Sequence, residues 1–449
     1  MTHNQAKLCL RFYITASVNA RQLDAVAGDT PQPGSSVALV LVSAGSTVPE
    51  PPITVVARRL RPALGSDVAF HGCFVRPVRG SDMTTLFEPL TLRETELPNR
   101  VMVSPMCQYS CEGRDGVATE WHRVHLGSRA VGGAGVVMAE ATAVEARGRI
   151  SPEDLGIWTD KQAEALAPVA QFISEQGSVP AIQLAHAGRK ASTSRPWEGH
   201  DPLAPEAGGW DAVGPTGTPW PYEEGTAPET ERLDQTGVES VIDAFRAAAR
   251  RACEAGFEVA EVHGAHGYLL HEFLSPVTNR REDDYGGDFE GRSRLIREVT
   301  AAVREVWPDG KPVFVRLSAT DCLDDRESWT VEDSARLADR LATAGADLID
   351  VSSGGIVPDS YPDYTGPNYQ LRWAEQIRES SESGIAVGTV GGVTTAEQAE
   401  AVVANDRVDL AIVGREHLRD PYFTLHAAQD LDATDELEGP PQYRRGFGF

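Results

Sequence analysis

The sequence predicts an α/β fold, a (β/α)8 TIM barrel, on three observations. Eight short apolar runs recur between Val101 and Val413, and amphipathic stretches of helical period separate them. No run is followed by the G-x-G-x-x-G turn that a dinucleotide-binding open sheet requires. At 449 residues the chain can bury a core of that size.

In chain order the strand candidates are Val101–Met106, Gly135–Ala143, Val179–Ala185, Glu258–His263, Val313–Ser318, Leu348–Ser353, Ile385–Val390 and Leu410–Val413. Each is an apolar run bounded by turn residues. Helices are predicted over Lys161–Gln176, Val238–Ala255, Arg292–Trp307, Val331–Ala344 and Thr395–Ala404, among others. Gly177, Gly256 and Gly345 follow three of them as C-terminal stops. The barrel is expected to span 83–435, with 436–449 as a tail at a subunit interface. Arg189–Asp234, rich in Pro, Gly and Trp, reads as a long insertion after strand three that shapes or covers the site. Its Trp197, Trp210 and Trp220 are candidates to cap a pocket. Residues 1–82 show no sustained period and read as a poorly ordered extension, or as translation from a mis-set start codon upstream of Met83.

Charge and composition exclude several classes. Residues 1–82 hold eight basic and five acidic side chains out of 41 and 66, which leaves −28 on the remainder. So acidic a surface repels nucleic acid and anionic lipid, and neither is an expected partner. With only four lysines, it also suits a halophilic host. No apolar run, Val37–Val42 included, approaches the roughly 20 residues that a membrane span needs. Six scattered cysteines fit a reduced, cytoplasmic setting better than a disulfide or metal framework.

Chemistry-bearing residues gather at the C-terminal strand ends, where parallel α/β proteins do their work. After strand four comes His263-Gly264-Ala265-His266-Gly267-Tyr268. Two imidazoles three residues apart can grip a carbonyl oxygen or a metal, and the phenol can deliver a proton. Strand one ends in Ser104-Pro105-Met106-Cys107-Gln108-Tyr109. Gln183 carries a donor and an acceptor suited to the edge of a heteroaromatic ring. Arg316 lies within an apolar strand and needs an anionic partner, a carboxylate or an electron-rich cofactor. Gly388 and Gly414, after strands seven and eight, with Arg415, suit a phosphate. Together they describe a site for flavin mononucleotide. His125, His186 and His271 read as structural, and Cys253 and Cys322 as small buried residues.

The segments SPMCQYS, EATAV with GRISPEDLGIW, IQLAHAGRKA, EVHGAHGYLLHEFLSP with NRREDDYGG, FVRLSA, DLIDVSSGG, AVGTVGG, VGREHLRDP and QYRRGF stand in one order. From about Leu86 to Phe447 the chain therefore resembles the old yellow enzyme family of FMN-dependent ene-reductases, in its cysteine-containing bacterial branch. The resemblance implies that Ser104, Pro105, Met106 and Cys107 line the flavin, with Cys107 tuning its potential. It places Ala141 against the ring, Gln183 at the pyrimidine edge, Arg316 at N1 and O2, and Gly388, Gly414 and Arg415 at the phosphate. His263 and His266 would bind the substrate oxygen, Tyr268 would donate a proton, and Tyr109 would border the substrate. Arg445 would reach a neighbouring subunit's site in a homo-oligomer, a dimer or tetramer. NADPH or NADH would be the reductant of an activated alkene, by ping-pong hydride transfer. Gln108, Gly264 and Gly291 depart from the residues usual in relatives. The rival readings are a metal-dependent hydrolase on His263 and His266, an iron–sulfur member of the same family, a tRNA-modifying flavin barrel and a non-catalytic flavin binder.

Overall fold

The computed structural model describes residues 84–448, so the expectations for 1–82 lie outside the described residues. A hairpin comes first, β1 (Leu90–Leu92) pairing antiparallel with β2 (Thr95–Leu97). Eight parallel strands then close into a barrel: β3 (Val101–Val103), β4 (Val136–Ala143), β5 (Val179–Ala185), β8 (Val259–Gly264), β9 (Val313–Ser318), β10 (Leu348–Ser352), β11 (Ala386–Val390) and β12 (Leu410–Val413). Strands β6 (Ala212–Gly214) and β7 (Thr230–Arg232) form a small parallel pair inside the insertion, which periodicity did not reveal because each is three residues long.

The outer helices are α1 (Glu120–Val131), α2 (Asp160–Glu175), α3 (Gln235–Glu254), α6 (Arg294–Val306), α7 (Val331–Ala344), α8 (Leu371–Ser380), α9 (Ala396–Val403) and α11 (Phe423–Asp430). Shorter helices α4 (Leu269–Leu274), α5 (Phe289–Arg292), α10 (Arg415–Arg419) and α12 (Arg444–Phe447) sit in the connections. The starts are chemically marked. The Asp234 carboxylate accepts from Gly237 N–H at the head of α3, and Thr330 and Asp333 form a reciprocal capping box on α7. Strand β3 ends at Val103, three residues earlier than periodicity predicts, because Pro105 lacks the N–H that a ladder needs.

Alternation along the strands divides the core in two. Val313, Val315 and Leu317 of β9 face outward to the helices, whereas Phe314, Arg316 and Ser318 occupy the alternate, inward positions. The lower interior is an apolar layer that includes Met102, Met138, Phe314 and Leu348, and Leu92 and Leu97 of the hairpin plug it from below. Polar residues occupy only the upper interior. Arg129 of α1 joins the first and last units, donating to His125 O at 2.6 Å and His417 O at 2.7 Å.

Two outcomes test this packing. Leu97→Ala should remove about 2–5 kcal/mol of stability and lower the urea midpoint without a change in m. Burial lowers His125 to about 3 and His417 to about 4. The unfolded chain then binds protons below about pH 6.5 that the folded one refuses, so stability falls as pH drops from there toward 4. Urea midpoints measured from pH 7 to 4 should decline, less steeply in His125→Gln.

Candidate active site

The chain between β8 and α4 is the centre of the site. His263 is the inward residue near the end of β8, and His266 follows with φ 59°, a left-handed conformation that a bulky residue adopts only when held. Four contacts hold it. His266 N–H donates to Ser318 Oγ at 2.9 Å, and Lys190 Nζ donates to His266 O at 2.9 Å. Gly267 N–H donates to His271 Nδ1 at 2.9 Å, and His271 Nε2 meets Asp321 Oδ1 at 2.9 Å. Gly267 must be glycine: its φ is 70°, and a Cβ there would stand 2.0 Å from Gly355 O.

These contacts aim three rings at one space. The His263 ring lies 5.1 Å from that of His266 and 5.1 Å from that of Tyr268, edge-on to both. His263 Nδ1 accepts from Ala265 N–H at 3.3 Å, which leaves the proton on Nε2. His266 Nδ1 stands 3.4 Å from His263 Nε2, and His266 Nε2 stands 2.7 Å from Ser352 Oγ. Burial, and behind it the Arg316 charge, lowers both imidazoles well below their usual range, so both are neutral at pH 7. Burial raises the Tyr268 phenol well above 10, with help from Cys107 and Asp154. It also raises the Cys107 thiol, as do Glu140 and Asp154, so the sulfur carries its proton. Cys107, Tyr109, Trp210 and Tyr268 pack against one buried cluster of Ile150, Ala187, Ala191 and Ala212. Ala141 and Tyr268 line one small cavity.

The strand-one loop is tied down by Glu140, at the bulge where β4 shifts register against β5. Glu140 Oε2 accepts from Gln108 N–H at 2.6 Å, and Tyr109 follows with φ 50°. Tyr109 meets the exposed Trp197 edge-on at 5.8 Å. Lys190 Nζ sits 4.4 Å above Trp220 and 5.1 Å above Tyr268. Trp210 donates to Arg147 O, so all three insertion tryptophans touch the rim or its supports.

A cleft of about 460 Å³ opens beside this centre, lined by Met106, Arg316, Gly391, Gly392, Gly414 and Arg415 among others. Gly391 and Gly392 have φ 125° and 72°, conformations that favour glycine, so backbone without a side chain forms part of its wall. The exposed Arg415 makes no ion pair among the described residues, so a cation is free at this end. Toward the barrel interior lie Arg316, which lines the cleft and donates to Ser104 Oγ at 3.3 Å, and beyond the lining Gln183, which donates to Glu261 Oε1 at 2.8 Å. A free cation and glycine backbone at one end suit a phosphate. A buried guanidinium and an amide at the other suit an electron-rich ring, so the residues present fit FMN.

A model of the family described as NADH:flavin oxidoreductase / NADH oxidase matches residues 85–434. The chain belongs to that family. An NADPH dehydrogenase of Geobacillus sp. (strain WCH70) is 45% identical over 366 residues, 82% of this chain and 99% of the relative. Another, of Listeria monocytogenes serotype 4a, is 45% identical over 365 residues, 81% and 100% of the two chains. Morphinone reductase in complex with tetrahydroNAD superposes with TM-score 0.62 at 28% identity, covering 80% of this chain and 93% of that one. The old yellow enzyme homologue of Zymomonas mobilis shares the fold, with TM-score 0.64, 24% identity and coverage of 81% and 99%. The chain is an old yellow enzyme, a flavin-dependent NAD(P)H dehydrogenase whose cofactors are FMN and NADPH or NADH.

The structure brings together Ser104, Met106, Cys107, Tyr109, Ala141, Gln183, His263, His266, Tyr268, Arg316, Gly414 and Arg415 around the barrel mouth, with Pro105 between the first two. Two predicted residues lie outside the cleft lining, the second of them as a residue meant for a neighbouring subunit's site would. Gly388 lies inside the barrel wall, where a Cβ would meet Ile412 Cδ1 at 2.9 Å, and the cleft is lined by Gly391 and Gly392 instead. Arg445 is exposed on α12 in the tail, outside this chain's cleft. Sequence reasoning missed Lys190, Ser318, Asp321 and Ser352, which work through loop carbonyls and ring nitrogens and carry no spacing signal. It also missed Glu261 and Asp350, although both show the sign that revealed Arg316: a charge on the inward face of an apolar strand. His125, His186 and His271 are buried, and the His186 and His271 rings are partnered by Glu145 and Asp321 within the fold. Among the described residues no group of three His, Cys, Asp or Glu is arranged to hold a metal ion, and no helix is long and apolar enough to cross a membrane.

Ser352→Ala should release His266. In imidazole 15N NMR the wild type should show one His266 tautomer, and the variant a mixture; an unchanged spectrum would remove Ser352 from the site.

Proposed function

We propose that this old yellow enzyme, of the cysteine-containing branch, reduces activated C=C bonds of α,β-unsaturated carbonyl or nitro compounds. One observation carries the reading: His263 Nε2 and His266 Nδ1 stand 3.4 Å apart beside the Tyr268 ring. His263 Nε2–H faces His266 Nδ1; with an oxygen entering between them and Ser352 Oγ–H donating to His266 Nε2, the His266 proton sits on Nδ1 and both N–H groups point at that oxygen. A single oxygen with two lone pairs satisfies both. Their hydrogen bonds strengthen as negative charge develops on that oxygen, as in an oxyanion hole. Because both imidazoles are neutral, the grip polarises the acceptor without giving up a proton.

Bound FMN supplies hydride exchange, first with NADPH or NADH and then with the acceptor, in a ping-pong cycle. Tyr268 holds the proton for the α-carbon, and its raised pKa keeps that proton in place until a carbanion-like carbon takes it. Arg316 and Gln183 hold the ring's pyrimidine edge, and Ser104, Pro105, Met106 and Ala141 pack around it. Gly414 and Arg415 hold the phosphate. Cys107, as a neutral thiol, tunes the flavin from beside it, and Tyr109 borders the acceptor. Arg445 completes a neighbouring site in a homo-oligomer. The four described cysteines are free, which supports a reducing cytoplasmic setting, and the net charge of −25 supports work in concentrated salt.

Tyr268→Phe should slow acceptor reduction by about 100-fold or more, and flavin reduction by NADPH hardly at all. Stopped-flow absorbance separates the half-reactions; equal slowing of both would remove the phenol from its role.

A further inference from the structure

Under the flavin site the barrel interior carries a polar layer on four adjacent strands: Gln183 on β5, Glu261 on β8, Arg316 on β9 and Asp350 on β10. Register pairs Gln183 with Glu261, and Arg316 with both His263 and Asp350. Apolar residues close the layer from below, Met138, Val259, Phe314 and Leu348 among them. Glu261 and Asp350 are 0% exposed and Arg316 5%.

The charges do not balance if every group is ionised, since two carboxylates face one guanidinium. Nor do the hydrogen bonds. Glu261 Oε1 accepts from Gln183, and Arg316 Nε lies 3.3 Å from Asp350 Oδ2. Glu261 Oε2 and both Asp350 oxygens have no donor. A second bare carboxylate in a dry interior costs several kcal/mol, and such a group protonates instead. The Glu261 and Asp350 side chains stand within hydrogen-bond reach of each other, so a proton on either carboxyl finds its acceptor on the facing one.

We infer that Glu261 and Asp350 hold one proton between them, so that their single negative charge neutralises Arg316 and the floor of the FMN site carries no net charge. Burial raises both carboxyls, with the Asp350 charge adding to it at Glu261. The charge sits on whichever oxygen faces Arg316, and the partner carboxyl supplies the hydrogen bond. Both are positioning residues: they hold Arg316 and set the charge it offers to the ring above. The titratable groups facing the layer from above are His263 and His266, both neutral. The inference rests on the FMN site described above, and its test separates the two.

Two-electron midpoint potentials of bound FMN would be measured in the wild type, Glu261→Gln, Asp350→Asn and the double variant. With one shared proton, either single substitution leaves a carboxyl that ionises in place of the pair. Each single variant should then change the reduction constant by less than about threefold. The double variant, stripped of negative charge, should raise it by about tenfold or more, roughly 30 mV for two electrons. A tenfold rise in each single variant would mean two ionised carboxylates, and no rise in the double variant would mean none; either overturns the inference. Infrared spectra read the pair without cofactor. A carboxylic acid C=O band, shifted in D2O, should stand out in the difference spectrum of the wild type against each single variant, and its absence from both difference spectra overturns the inference. A wild type that shows the band but takes up no FMN would overturn the cofactor site and not the pair.

Discussion

The guanidinium of Arg316 inside an otherwise apolar strand is the constraint around which the barrel mouth is arranged. A buried cation is tolerable only when counter-charge and acceptors surround it. Asp350 on the next strand supplies the first, at 3.3 Å, and Ser104 Oγ supplies an acceptor from the far side of the barrel. That requirement explains why the interior changes from apolar to polar at one level. Below it Phe314 and Leu348 pack as in any barrel core; above it Ser318 and Ser352 serve the His266 loop. Arg316 also acts upward, since its charge is the second cause that keeps His263 and His266 neutral.

From that level the site is a matter of holding backbone in costly conformations. His266 and Tyr109 both have positive φ, at 59° and 50°, on opposite sides of the opening. Each is secured by a buried polar group from another element, His271 with Asp321 for the first and Glu140 for the second. Strain of this kind persists only where the surroundings over-determine it. The rings of His263, His266 and Tyr268 consequently meet in space with little freedom to part, which is what polarising one small oxygen requires.

The length and period of the apolar runs made the barrel legible, and strands such as Val179–Ala185, Val313–Ser318 and Leu410–Val413 stand at the predicted bounds. Strand ends, not spacing, made the site legible, because in a parallel barrel every strand points its C-terminus to one mouth. Gly388 marks the limit of that logic: a glycine within a strand can serve a neighbour's packing, here Ile412, as readily as a ligand. Elements of three residues, such as the hairpin β1–β2 that plugs the barrel, carry too little period to be seen.

The sequence by itself determined the fold class and the family, and it pointed to residues that the structure gathers at the barrel mouth. Those properties follow from local pattern and from residue types whose chemistry allows few alternatives. Only the tertiary structure decided which nitrogen of His263 carries a proton, that Lys190 and Ser352 belong to the site, and that Glu261 and Asp350 face one cation. Protonation and pairing depend on which groups lie within a few ångströms in a dry interior. That distance is set by strand register around a closed barrel, to which no single segment of the chain has access.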